Sequence, residues 1–207
     1  MTIALTRRTS LALALAAACL PATLRAQDAA AAVEVVEMSM GAPDAPVTMI
    51  EYLMFTCPHC AAFHRDVFPQ IKANFVDTGK VRVIFREVYF NRPSLWAAMV
   101  ARCAPQDRYF GIADLLFQRQ SAWAGASDTN VMLAELYSIG RQAGMTDEEM
   151  NTCLADRGFA EALVAEFQTH AAADSIDATP SFVIDGQKFS NAGYAEFETR
   201  LNEALAD

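Results

Sequence analysis

Two cysteines lie three positions apart in "MFTCPHCAAF", Met54 to Phe63, with Pro58 and His59 between Cys57 and Cys60. Thiols at Cys-x-x-Cys spacing form a redox couple, half of a zinc site, or a copper clamp. The elements that carry them decide among these.

Upstream, "VTMIEYLMF" (Val47 to Phe55) is an apolar run broken only by Thr48 and Glu51, the pattern of a strand buried on both faces. Downstream, Ala62, Phe63, Val67 and Ile71 recur at helical spacing. Pro69 should kink this helix, because it lacks the N–H for an i−4 bond, and Gly79 ends the segment. The thiols therefore fall where a buried strand ends and a helix begins. Cys57 is expected at the N-cap, facing unpaired backbone N–H groups and the positive end of the helix dipole, which favours a thiolate. Pro58 suits the first turn, where its missing N–H costs nothing. His59 stabilises the thiolate as a donor or as imidazolium. Cys60, one turn in, is more shielded. Cys57 is thus the exposed nucleophile and Cys60 the resolving thiol. A low thiol pKa stabilises the reduced form and makes the disulfide oxidising.

Other segments supply the frame. Val33 to Met38 reads as a first strand and "KVRVIFREVYF" (Lys80 to Phe90) as another. Helices follow: "SLWAAMVARCA" with Leu95, Met99, Val100 and Cys103 on one face, then "DRYFGIADLLFQRQ". The next is a stripe of Met132, Leu136, Ile139 and Ala143 capped by Gly144. A Thr-x-x-Glu capping box at Thr146 to Glu149 opens a helix bearing Met150, Cys153 and Leu154, and Phe159, Leu163 and Phe167 mark the last long one. "SFVI" (Ser181 to Ile184) before Asp185-Gly186 signals a hairpin, and "YAEFETRLNEAL" closes as an amphipathic helix. A β-α-β unit and a β-β-α unit flank a helical block, so the class is α/β: a mixed sheet covered by helices, with an inserted all-helical subdomain. The divisions are 33–90, a helical insertion at 91–174, and 175–207.

Residues 1–26 read as a secretory signal peptide: Arg7 and Arg8, the apolar Leu11 to Leu20, and a cleavage site after Ala26. The run is shorter than the roughly 18 apolar residues a membrane span needs. Twin arginines and Cys19 hint at folded export or lipoprotein processing, but Ser10 and Ala16 stand where apolar residues are usual, so both routes are disfavoured. Residues 27–32 form an Ala-rich disordered tether. Losing residues 1–26 removes three arginines and no acid, taking the formal charge from −9 to −12. An acidic body argues against nucleic acid as a partner. Four cysteines remain in the exported chain, Cys57, Cys60, Cys103 and Cys153, which allow three pairings.

"EYLMFTCPHC" followed far downstream by "ATPSFVIDG" resembles the DsbA family of thioredoxin-fold disulfide oxidoreductases, over roughly Val33 to Asp207. The resemblance implies a thioredoxin-like sheet, a very acidic catalytic thiol and an oxidising couple. It implies that Pro180 is cis and faces the sulfurs, with the Thr179 backbone pairing a substrate peptide; the residues alone also allow Pro180 simply to start a strand. Glu51, six residues before Cys57, matches the family's buried acid, which accepts or relays the Cys60 proton; a surface-facing Glu is the plainer alternative. Thr179 stands where the best-known oxidases have Val, and Thr occurs in isomerase-like relatives. Cys103 and Cys153 lie on apolar stripes, and two facing thiols in an oxidising compartment should pair as a structural disulfide, as in some relatives.

The expected activity is donation of a disulfide to folding exported proteins in the periplasm, by a monomer, through a Cys57 mixed disulfide that Cys60 attacks next. A membrane quinone-linked partner of the DsbB type would reoxidise it, as the resemblance implies. No cofactor or metal is expected. An isomerase or reductase of the same fold is the first alternative, and a copper or zinc carrier the second. Zinc would need Cys57, Cys60 and His64 as ligands, but His64 is more simply a helix-surface residue. The Met-x-Cys-x-x-Cys spacing of a copper carrier is missing.

Overall fold

A computed structural model describes residues 33–206 of the chain; the signal peptide and tether expected over 1–32 lie outside the described residues. Its centre is strand β2 (Val47–Leu53), flanked on one side by β3 (Val81–Glu87) and on the other by β4 (Ser181–Ile184). β1 (Met38–Met40) and β5 (Gln187–Ser190) form the edges, giving the order β1-β3-β2-β4-β5. β2 and β3 run parallel and every other pair antiparallel, so the sheet is mixed. A parallel pair needs a crossover. Here it is made by α1 (Pro58–Asp66), α2 (Phe68–Ile71) and a π turn at Lys72–Val76.

The first strand starts later than its alternating sequence suggests. Continued register would set Val36 opposite Glu87, but the Val36 carbonyl accepts from Arg102 Nη1 at 2.8 Å and is lost to the ladder. β2 stops at Leu53 rather than Phe55 because the chain turns there, Cys57 N–H donating to Met54 O at 2.8 Å. β3 stops at Glu87 rather than Phe90, its last tie being Val88 N–H to Leu53 O at 2.7 Å. The proline kink takes the form of a break at Val67, with Pro69 in the first turn of α2.

Between β3 and β4 come α3 (Arg92–Cys103), a 3₁₀ turn at Gln106–Arg108, α4 (Tyr109–Gln118), α5 (Gln120–Trp123), α6 (Thr129–Gln142), α7 (Asp147–Ala155) and α8 (Arg157–Ala173). α5 is not apparent in the sequence; it carries Trp123, fully buried, whose Nε1 donates to Leu116 O at 2.8 Å. The capping box forms at Thr146 and Glu149. Cys103 and Cys153 join α3 to α7 as a disulfide, Cα atoms 6.1 Å apart. Asp185 and Gly186 both take positive φ, 48° and 75°, the geometry of a tight hairpin turn. α9 (Tyr194–Ala204) closes the chain.

Alternation along β2 sends neighbours to opposite faces. On one, the large core includes Phe63, which packs on Phe182 at 4.7 Å and Phe197 at 5.3 Å between ring centroids. On the other, Tyr52, Val88 and Val183 pack with Ala171 and Ile176 around α8. Among the described residues no helix is long and apolar enough to cross a membrane.

Candidate active site

Both thiols sit at the C-terminal end of β2. Cys57 is the N-cap of α1 and Pro58 follows in its first turn. Protonated, Cys57 Sγ donates to Thr179 O at 3.3 Å; Cys60 Sγ accepts from Met54 N–H at 3.5 Å. The sequence expectation of an exposed Cys57 needs correction. The loop carrying Thr179 lies against the sulfur, leaving Cys57 6% exposed and Cys60 0%. Both are free thiols.

Their acidities separate. Cys57 is lowered to about 5, foremost because the Cys60 thiol hydrogen-bonds to it. Burial opposes this, and the Thr179 side chain and the backbone N–H groups of Cys60 and His59 add to it. Cys60 is pushed far up by burial, by its hydrogen bond to Cys57 and by the Glu51 charge, against a smaller pull from Met54 N–H. The His59 side chain is exposed, and its backbone N–H is among the groups that lower Cys57.

Thr179-Pro180 is a cis peptide bond leading directly into β4, with Pro180 buried and Ser181 Oγ donating to Ala178 O at 2.8 Å. Glu51 is fully buried, not surface-facing. Its Oε1 lies 3.0 Å from His64 Nε2. His64 is likewise no helix-surface residue: it is 8% exposed and stacks on Phe117 at 4.2 Å. A readable signal exists, since Cys60, His64, Phe68 and Ile71 recur four, four and three apart on the buried stripe across α1 and α2. Among the described residues no three His, Cys, Asp or Glu side chains are grouped to hold a metal.

Two further residues hold the loop. Gln120 of α5 donates through Nε2 to Phe55 O and Cys57 O, both at 2.8 Å. Asn91 donates to Thr56 Oγ1 at 2.9 Å while its Oδ1 caps α3 by accepting from Ser94 N–H. Asn before Arg-Pro is a legible N-cap; nothing in the sequence marks Gln120.

A sulfur favoured as thiolate beside one held as thiol is an arrangement for exchanging disulfides. Fold and site together are those of a thioredoxin-like protein carrying an asymmetric dithiol. The chain belongs to the thioredoxin family: the family described as Thioredoxin matches residues 33–203. Its structural neighbours include DsbA proteins. Wolbachia pipientis alpha-DsbA1 is 28% identical with a TM-score of 0.76, covering 84% of this chain and 93% of that one. Oxidised BdbD from Bacillus subtilis is 25% identical with a TM-score of 0.74, covering 83% and 94%. A protein of Rickettsia bellii named putative protein-disulfide oxidoreductase is 29% identical over 172 residues, 83% of this chain and 65% of that one. The chain spans just under two thirds of the length of that relative.

Proposed function

We propose that this protein is a periplasmic disulfide donor for exported proteins with free cysteines. The observation that carries the reading is the opposed acidity of the pair, Cys57 lowered to about 5 and Cys60 raised. A stable Cys57 thiolate is a good leaving group, so the Cys57–Cys60 disulfide is readily given away. A substrate thiolate bonds to Cys57 Sγ, the Cys57–Cys60 bond breaks, and the electron pair leaves on Cys60, which takes a proton. Electron balance corrects the expected next step. For donation, the substrate's second thiolate attacks the substrate sulfur and expels the Cys57 thiolate. Attack by Cys60 belongs to reoxidation, where Cys57 is first bonded to an oxidising partner, here a DsbB-like membrane quinone reductase. Glu51 serves the Cys60 proton, and the Thr179 backbone before Pro180 receives the substrate as an added strand. Pro58 and the His59 N–H support the thiolate, and the Cys103–Cys153 bridge is structural.

The names of the relatives and the export signal expected over 1–26 support this reading. It is tested by the potential of the couple against glutathione, with oxidation of reduced ribonuclease A. A value less negative than about −200 mV is expected; one near the roughly −270 mV of thioredoxin refutes donation. Thr179 favours isomerase as a second reading, which faster recovery of scrambled than of reduced ribonuclease would select.

A further inference from the structure

His64 is buried, titratable and unused in the exchange just described. Glu51 Oε1 lies 3.0 Å from its Nε2, and no protein group among the described residues pairs with Glu51 Oε2 or His64 Nδ1. Unpaired buried polar atoms cost about 1–3 kcal/mol each, so a pair retaining two of them calls for a use. The ring is fixed by Phe117 at 4.2 Å, Phe68 at 4.9 Å and Phe85 at 5.3 Å. It also forms part of the wall of a groove of about 480 Å³ between α1–α2 and α4. The groove's charged groups are Arg65 of α1, Lys72 of the π turn and Asp114 of α4. Burial raises the Asp114 carboxyl, and Asp114 lines the same groove as His64. Cys57, Thr179 and Pro180 do not line the groove.

The exchange poses a proton problem. Cys60 is wholly buried, so it must gain a proton when the disulfide opens and lose one when it closes. A peptide bonded to Cys57 covers the sulfur's own mouth at those moments. We propose that His64 relays the Cys60 proton between Glu51 and water in the groove, a route open while substrate occupies the site. This rests on the reading of Cys57–Cys60 as the exchanging couple.

On opening, Cys60 Sγ takes the electron pair of the broken bond and a proton that the Glu51 carboxylate passes on from His64 Nε2. Glu51 is left as carboxylate, and His64 Nδ1 takes up a proton from the groove. On closing, Cys60 gives its proton to Glu51 and attacks Cys57 Sγ. The proton passes to Nε2, Nδ1 releases one to the groove, and the partner leaves as a thiolate. The ring returns to its starting tautomer. Glu51 from β2, Asp114 from α4, Lys72 and Arg65 are the charges that bias it.

The test uses a mixed disulfide of Cys57 with thionitrobenzoate, whose coloured release reports closure by Cys60. His64→Gln keeps an N–H donor for Glu51 but cannot carry a proton. It should slow closure about ten-fold or more. It should also change the pH profile of closure, since glutamine offers no ionisable proton to the relay. Formation of the mixed disulfide by Cys57 should change less than about two-fold, since that step leaves the Cys60 proton in place. An unchanged closure rate, an unchanged pH profile, or equal slowing of both steps overturns the relay. Should that variant not fold, His64→Ala with added imidazole serves: restored closure is expected and no restoration overturns. A wild-type chain that forms no mixed disulfide fails the exchange reading itself. A wild type and variant that close equally fast sink the relay alone.

Discussion

Lowering the pH should dissolve the advantage of the reduced fold. Cys57 is lowered to about 5 from an ordinary 9.0, chiefly by the Cys60 thiol. A depressed thiol pKa contributes stability that is complete above the unfolded value and lost as pH falls through the folded one. At about pH 7 the thiolate lies some two units above its folded pKa, worth at most about 2.7 kcal/mol. Solvent screening at the mouth of the site reduces this to about 1–2 kcal/mol. For a chain of this size that is about 2–8 °C of melting temperature. The melting gap between reduced and oxidised protein should therefore shrink by this amount between about pH 7 and pH 5 and change little below. The pKa itself is read from the ultraviolet absorbance of the thiolate. Wild-type protein should show a transition near 5 that Cys57→Ser abolishes. Cys60→Ala should move it upward, because it removes the largest stabilising contact. A wild-type transition at the ordinary thiol value, or one unmoved by Cys60→Ala, would refute the reasoning.

Thr179→Val should also raise the Cys57 transition, but by less than Cys60→Ala, since the Thr179 side chain is a smaller cause; an unmoved transition removes the hydroxyl from the account. Replacing Cys103 and Cys153 together by Ser should cost about 2–4 kcal/mol in denaturant unfolding. Exchange at Cys57 should stay within about two-fold, because the bridge packs among Met99 and Leu163 rather than at the site. A larger loss of exchange would show that the staple reaches the thiols.

What could be read in advance follows from where the information lies. Strand and helix periodicity, the capping box and the Asp185-Gly186 turn are local, and the structure places each within a few residues of its sequence signal. Strand ends depend on distant partners: the Arg102 guanidinium that takes the Val36 carbonyl lies 66 residues away. The burial of His64 is hidden from its local sequence for the same reason. Its sequence neighbours Arg65 and Asp66 are exposed, and only Glu51 from β2 and Phe117 from α4 make the position an interior one. Gln120 is invisible because its role consists of two backbone carbonyls more than 60 residues back in the chain. The exposed Cys57 expected at an N-cap is covered by a loop 122 residues on.

The acidity of Cys57 cannot be assigned to Cys57 alone. Its main stabiliser is the Cys60 thiol, a donor only while protonated. Cys60 stays protonated because it is buried and because the Glu51 charge disfavours a second anion beside it. Burial on β2 and the position one turn into α1 thus act on Cys57 through its neighbour. The helix dipole and the backbone N–H groups of His59 and Cys60 would act on any N-cap thiol. What distinguishes this pair is that the same hydrogen bond drives the two acidities apart, lowering one sulfur and raising the other. The two therefore titrate as a unit. A change that eases ionisation of Cys60 weakens the donor that holds Cys57 as thiolate, and with it the oxidising character of the couple. The proton on Cys60 is consequently the quantity the site must control, which gives the buried acid beneath it a physical reason to be there.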